Sequence, residues 1–333
     1  MMLSPQDKIS ECVPRAALVV FACIAAVALA QEKPADYPNR PLRIVIGIAP
    51  GGGLDTITRV GAQKLSERWN QSVIVDNRPG GGSVIGMDIV AQAPADGYTL
   101  LGASDSILVN GVFKRVPYDV RKVFTPIVQM TSTMYAMVVN PSLPVRTVKE
   151  LIAYARSKPG ALSYGSQGLG STGHLAMEYF KSMAGVDMVH VPYKGAAPAM
   201  IDIVSGQIHL MFASTVSSAP YIKNGTLRVI AVTGARRTPV FPDVPTISES
   251  GVPGFEWHNT YSLFAPAGTA RAIIRAINLV VKQGINTPET MKYLAADGAA
   301  AAAPATPEEF KAKFAKDYDT MEKLVKATNL RIN

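Results

Sequence analysis

The chain has 333 residues, 48% of them hydrophobic and 17% charged, with a formal net charge of +8 and a pI near 9.4. That length carries two domains with sizeable cores, and the composition excludes a disordered or low-complexity chain. The excess of Lys and Arg is scattered, and its densest set (Lys311, Lys313, Lys316, Lys323 and Lys326) falls on one predicted helix, so no basic patch interleaved with aromatics points to nucleic acid.

Residues 1–30 read as a secretory signal peptide. Lys8 and Arg15 precede an uncharged run, AALVVFACIAAVALA from Ala16 to Ala30, which ends in an A-x-A cleavage pattern before Gln31. The run is short for a membrane span, which needs about 20 apolar residues. Val20-Phe21-Ala22 ahead of Cys23 carries bulk where a lipid-attachment site needs a small residue. Both cysteines, Cys12 and Cys23, lie in this segment. The chain from Gln31 onward therefore offers no disulfide, thiolate metal site or cysteine nucleophile.

From Arg40 the pattern is strand then helix, repeated. Leu42 to Ile48 (LRIVIGI) predicts a buried strand, Pro50-Gly51-Gly52-Gly53 a loop, and Leu54 to Trp69 a helix with Leu54, Ile57, Leu65 and Trp69 near one face. Val73 to Val75 is a second strand. Pro79-Gly80-Gly81-Gly82 opens a helix to about Ala93, and Tyr98 to Ala103 is a third strand, ending at Ser104. Such alternation predicts an α/β fold with a mostly parallel sheet and helices on both faces. Ligands of such sheets sit beyond the carboxyl ends of the strands, which makes the loops at Gly51, Gly80 and Ser104 candidates for one wall of a site.

A second series starts with a strand from Tyr135 to Val139. Thr147 and Glu150 then have capping-box spacing ahead of a helix to about Ser157. Ser163 to Met183 (SYGSQGLGSTGHLAMEYFKSM) is the most informative stretch. It reads as a short strand, a glycine-rich loop carrying Ser166, Ser171 and Thr172, and a helix with Leu175, Met177, Tyr179, Phe180 and Met183 at helical spacing. The first N–H groups of a helix lack partners and sit at the positive end of its dipole, so a loop of this kind suits a small anion.

Two enzyme readings compete on the same residues. Gly168, Gly170 and Gly173 spell G-x-G-x-x-G, the mark of a nucleotide-dependent oxidoreductase. That fingerprint needs an acidic residue roughly 20 positions on, at the end of the next strand. The end of that strand offers Val191 and Tyr193, while Asp187 precedes it. A serine hydrolase would use Ser171 with His174, but no G-x-S-x-G elbow is present. His174, His190, His209 and His258 show no metal-ligand spacing. The reading is of a protein that is not an enzyme and needs no cofactor.

Met188 to Val191, Ile208 to Ala213 and Leu227 to Thr233 are further strands, with a helix from Ala197 to Val204. Pro239 to Gly254 reads as an extended loop with one short helix. Trp257 to Ala265 is a strand, followed by helices at about Ala270–Asn286, Glu289–Ala296 and Pro307–Ala327. The last has Thr306 as N-cap, Pro307 at the first position and Glu309 three residues on. Three helices without strands form no α/β domain of their own and are expected to pack back on the first. The chain then crosses between lobes twice, near Thr133 and near His258. Lobe 1 comprises residues 37–133 and 259–333, lobe 2 residues 134–258, in a hinged arrangement.

Leu42 to Arg59 (LRIVIGIAPGGGLDTITR), Val75 to Gly86 (VDNRPGGGSVIG), Asp96 to Leu101 (DGYTLL), Ser163 to Leu175, Val191 to Pro198 (VPYKGAAP) and Val240 to Gly254 (VFPDVPTISESGVPG) resemble, in order, the signatures of the Bug/TctC family. These are periplasmic solute-binding proteins of tripartite tricarboxylate transporters. The resemblance covers essentially all of the chain after the signal peptide. It implies a monomeric clamshell of the type II periplasmic-binding-protein fold, each lobe a mixed sheet flanked by helices, with membrane transporter subunits as partners. It further implies a small carboxylate held in the cleft by backbone groups and water. Ala49, Gly51, Gly52 and Asp55 on one loop, and Gly170, Ser171, Thr172 and His174 on the other, would grip one carboxylate, with Ser104 and Ser214 deeper in the cleft. Two departures stand out: Ala49, where the family often has an aromatic residue, and Ala213, where it often has Asp.

Each of these side chains also has a structural reading. Asp55, Ser171 and Thr172 can cap helices, His174 can pack in the core, and Tyr193 and Lys194 can shape a turn.

Overall fold

Alternation along the first strands buries both faces. Ile44 and Ile46 point to one side and Val45 to the other, all at 0% exposure, as expected of a sheet covered by helices on both faces. The computed structural model describes residues 36–296, 298–303, 305–328 and 330–331; the expected signal peptide lies outside them. In chain order the elements are β1 (Leu42–Ile46), α1 (Gly53–Trp69), β2 (Val73–Asn77), a single 3-10 turn (Gly81–Ser83), α2 (Val84–Ala91), β3 (Thr99–Ser104), α3 (Ser106–Val112), α4 (Val120–Val123), β4 (Phe124–Val139), α5 (Val148–Ser157) and β5 (Ser163–Ser166). There follow α6 (Thr172–Ala184), β6 (Val189–Pro192), α7 (Ala196–Val204), β7 (Leu210–Ser214), α8 (Thr215–Lys223), β8 (Arg228–Val232), β9 (His258–Pro266), α9 (Arg271–Ile285), α10 (Pro288–Ala296), β10 (Ala299–Ala301) and α11 (Pro307–Thr328).

The strands run β2-β1-β3-β9-β4-β7-β5-β6, with β8 and β10 also paired to β4. Two lobes result, because β4 belongs to both. Its first part, up to Met134, lies antiparallel to β9. Its last part, from Tyr135, lies antiparallel to β7 and β8. β1 is parallel to β2 and β3, and β5 to β6 and β7, so each lobe has a mixed sheet. The chain returns at Trp257, whose N–H bonds the Thr233 carbonyl, and His258 then pairs with Met134. The two crossings are thus neighbouring strands in one ladder.

Helices cover the sheets as the apolar spacing requires. Ile57 and Leu65 of α1 and Ile273, Ile277 and Val281 of α9 pack on Ile44, Ile46 and Leu263. On the other face Met87, Val90, Phe310 and Phe314 pack on Val45, Leu101 and Phe264. The three terminal helices do return to lobe 1, but the chain's last turns reach further: Met321 and Leu324 of α11, and Leu330 beyond it, pack with the lobe 2 core around Phe180, Phe255 and Trp257.

The segment Pro239–Gly254 forms turns and no helix. Thr246 and Glu249 do exchange side-chain and backbone bonds like a helix start, but Gly251 at φ +119 and Pro253 end it within one turn. Among the described residues no helix is long and apolar enough to cross a membrane.

Candidate functional site

The lobes touch along two flanks. On one, the Ala49 N–H donates to the Lys194 carbonyl at 2.8 Å, and Gly51 faces Ala197. On the other, the Gly80–Ser83 loop meets the Gly168–Gly170 loop. A Cβ on Gly82 would fall inside the Leu169 carbonyl oxygen and 2.9 Å from its carbon. Here Arg115 Nη1 donates to the carbonyls of Gly81, at 3.0 Å, and of Leu169. Between the flanks lies a small, nearly closed cavity of about 30 Å³.

Three helix starts converge on it. Gly53 and Leu54 open α1, Ser171 and Thr172 open α6, and Ser214 precedes α8; all line the cavity. Ser171 Oγ accepts the N–H of His174, and Ser214 Oγ that of Ser217, while α1 has no side-chain cap at all. The remaining first-turn N–H groups are left for a guest. Gly53 is required by close approach. A Cβ there would collide with the Tyr261 hydroxyl and come within 2.5 Å of Ser214 Oγ. Ser104 and Ser106 close the wall after β3, and their hydroxyls lie 3.0 Å apart.

No charged side chain lines the cavity among the described residues. Its polar atoms are nevertheless under-used. Thr172 Oγ1, Gln167 Oε1 and Asn259 Oδ1 are buried there without a hydrogen-bond partner. Gln167 Nε2 is taken by the Phe212 carbonyl at 3.3 Å, which aims the amide oxygen the other way. The Tyr135 hydroxyl is within reach of Thr172, and that of Tyr261 within reach of Ser214 and Asn259, but neither makes a well-formed hydrogen bond to Thr172 Oγ1 or Asn259 Oδ1. Burial raises both phenols, Tyr261 to about 12, so they stay protonated as donors. A buried polar atom left unpaired costs roughly 1–3 kcal/mol, and three in one cavity mark a place built for a polar guest.

Of the residues expected from sequence, Gly52, Ser104, Ser171, Thr172 and Ser214 line the cavity. Ala49, Gly51, Asp55, Gly170 and His174 do not, each for a visible reason. Ala49 and Gly51 are spent on the opposite lobe. The Asp55 carboxylate turns away and accepts from the Gly51 N–H at 3.1 Å, Asn77 Nδ2 at 3.0 Å, and Arg59. Burial pushes that carboxyl up, but these partners outweigh it and hold it below its ordinary value. The Gly170 N–H donates to His174 Nδ1 at 3.2 Å. His174 is 2% exposed, its ring stacked 3.8 Å from that of His190. Burial, with the neighbouring His190, lowers it to about 3.

That neutral imidazole is no base for Ser171, whose oxygen accepts from the His174 backbone instead. Ser166 Oγ lies 2.7 Å from His190 Nε2 but is fully buried and tied to Gly168. Tyr193 bonds Asp202 at 2.6 Å, a turn-shaping role. Ala213 lies in the lobe 2 core with Ala136 and Val138 and not on the cavity wall.

Tyr135, Gln167, Asn259 and Tyr261 were absent from the sequence-based set. The available signal was positional. Tyr135 follows one crossing, and Asn259 and Tyr261 follow the other on alternate positions of a strand. Residues leaving a hinge are where the two lobes face each other.

A family model described as Tripartite tricarboxylate transporter family receptor, TctC, matches residues 57–330. A UPF0065 protein from the tcbD-tcbE intergenic region of a Pseudomonas species is 37% identical over 299 residues, 89% of each chain. Protein BugT of Bordetella pertussis is 32% identical over 94% of this chain and 97% of its own. Among solved structures, R. palustris Rpa4515 with adipate superposes with a TM-score of 0.84 at 36% identity, covering 88% of this chain and 99% of that one. MatC of Rhodopseudomonas palustris with bound malate gives 0.83 at 26% identity, covering 87% and 100%.

Proposed function

The chain belongs to the TctC family of tripartite tricarboxylate transporter receptors, and on that premise we propose that it captures a small carboxylate between its lobes and delivers it to the membrane subunits of such a transporter. The family and its solved neighbours are periplasmic solute-binding proteins, not enzymes. The protein acts as a monomer exported by cleavage before Gln31, with lobe 1 comprising residues 37–133 and 259–333 and lobe 2 residues 134–258.

One observation carries the reading. The cavity gathers three helix starts and the unpartnered Thr172 hydroxyl, with no charged side chain on its wall, while the unpaired amide oxygens of Gln167 and Asn259 only accept and suit a hydroxyl or a water beside the anion. Such a site favours one anionic group held by N–H and hydroxyl donors over a phosphate-rich nucleotide, which would call for a larger, more cationic cleft. The adipate and malate bound by the two solved neighbours support the same ligand class.

The test is a thermal-shift screen of the protein from Gln31 against adipate, malate, tricarboxylates, aromatic acids and amino acids, followed by calorimetry of each hit beside its amide. A ligand at about a hundred times its dissociation constant stabilises by about 2.7 kcal/mol. Amides that bind as well as the acids, or binding of NAD without binding of any carboxylate, would refute the proposal.

A further inference from the structure

Arg115 places a positive charge where the lobes meet behind the cavity. Its Nη1 donates to Gly81 O at 3.0 Å, to Asn110 Oδ1 at 3.0 Å and to Leu169 O. The first two acceptors belong to its own lobe. Asn110 is itself fully buried and fixed, its Nδ2 bonded to Gly82 O at 2.9 Å and Ser106 O at 2.8 Å. The guanidinium is therefore preset on lobe 1, and only the bond to Leu169 depends on closure. No carboxylate pairs with it among the described residues. It touches no part of the cavity wall, yet its two carbonyl acceptors each lie two residues before a wall residue, Ser83 and Ser171.

We propose that Arg115 is a positioning residue that latches the closed lobes and biases closure toward anionic ligands. Resting on the carboxylate reading of the cavity, the inference is that a cation lacking a carboxylate partner is carried against the α6 loop as the lobes shut. Each negative charge brought into the cavity offsets that charge further, so a dianionic guest gains more than a monoanionic one. At an effective dielectric of about 20, opposite unit charges within about 10 Å of each other alter a binding constant roughly tenfold or more.

The test compares wild type, Arg115→Met and Arg115→Lys, with adipate and its monomethyl ester as probes differing by one charge. Arg115→Met is expected to weaken adipate roughly tenfold or more and to narrow the preference of adipate over the ester. Arg115→Lys, which keeps the charge, is expected to keep the preference. A merely structural role would weaken both probes equally in Arg115→Met, and that result, or no change, overturns the proposal. Should Arg115→Met not fold, Arg115→Gln, which keeps donors toward the carbonyls, takes its place. If wild type binds no carboxylate of the screen, the carboxylate reading fails separately. The latch is then judged by small-angle scattering of ligand-free protein: a larger radius for the variant than for wild type supports it, and equal radii overturn it.

Discussion

Replacing Gly82 by alanine should separate closing from folding. Gly82 has φ +67 and ψ 40, a left-handed conformation that disfavours alanine by roughly 1–2 kcal/mol. Its neighbour Gly81 has φ +60 and carries a similar penalty. What differs is the space around each. A Cβ on Gly81 meets Val84 of its own lobe at 3.2 Å, whereas one on Gly82 overlaps the Leu169 carbonyl of the other lobe and comes within 3.0 Å of Arg115 Nη1. Overlap of that kind costs typically 1–3 kcal/mol when it must be absorbed by packing. Here it is relieved by opening the lobes. Gly81→Ala and Gly82→Ala should therefore lose similar stability in denaturant melts. Only Gly82→Ala should lose affinity, by roughly 5- to 150-fold. Calorimetry with the strongest hit of the carboxylate panel gives the affinities. Small-angle scattering at a concentration that compacts wild type should find Gly82→Ala still expanded. Equal affinities for the two variants would refute the closed-lobe geometry on which the reasoning rests.

Three further outcomes are expected. Thr172→Ala should weaken carboxylate binding roughly tenfold or somewhat more, as a lost hydrogen bond to a charged group costs about 1.5–3 kcal/mol. Its ligand-free melting should not fall, because the buried hydroxyl makes no well-formed bond and removing it relieves that cost; calorimetry and a thermal melt check both. Stability should fall on acidification below about pH 6.5, since burial lowers His174 to about 3 and His190 to about 4 from 6.5. The stabilisation is complete above the unfolded value and lost as pH falls toward the folded ones, at about 1.4 kcal/mol per pH unit per proton. Asp105, raised to about 6 by burial, works the other way over a narrower range with one proton against two. Urea midpoints at pH 7 and pH 5 measure the slope, which His190→Gln should reduce; an unaltered slope would remove the histidines from the account. Mass spectrometry of exported material should find a chain beginning at Gln31, and a start at a lipid-modified Cys23 would contradict the cleavage assignment.

Much of the architecture was legible because buried strands announce themselves: LRIVI, TLLGAS and LMFAS are short apolar runs bounded by turns. The long strand β4 was half missed. Pro126 and the polar run Gln129–Thr133 argue against a strand, but Pro126 sits where the register with β9 shifts, a bulge that needs no N–H from it. Helix α8 was missed for a similar reason, since Thr215–Ser218 reads as loop and Pro220 as a breaker. Packing of Val216 and Ala219 overrides both. In the site, Ser104 at a strand end and Ser171 and Thr172 at a helix start were visible from their places in the pattern, whereas Ser214 came only from the family resemblance. The roles of Asp55, Gly170 and His174 were not, because a side chain's direction depends on partners such as Asn77, Arg115 and His190 that are distant in sequence.

The final helix gives the hinge a third strut. Phe310 and Phe314 anchor its first half to lobe 1, while Met321 and Leu324 near its end pack, partly buried, against the lobe 2 core, and Leu330 just beyond it is buried there. A rigid rod fixed at both ends resists rotation of the bodies it joins. Opening must therefore drag the far end of α11 across the apolar bed around Phe255 and Trp257, or bend it between Tyr318 and Met321. Opening then works against that packing as well as against the crossing strands, which gives Met321 and Leu324, far from the cavity, a hold on the hinge.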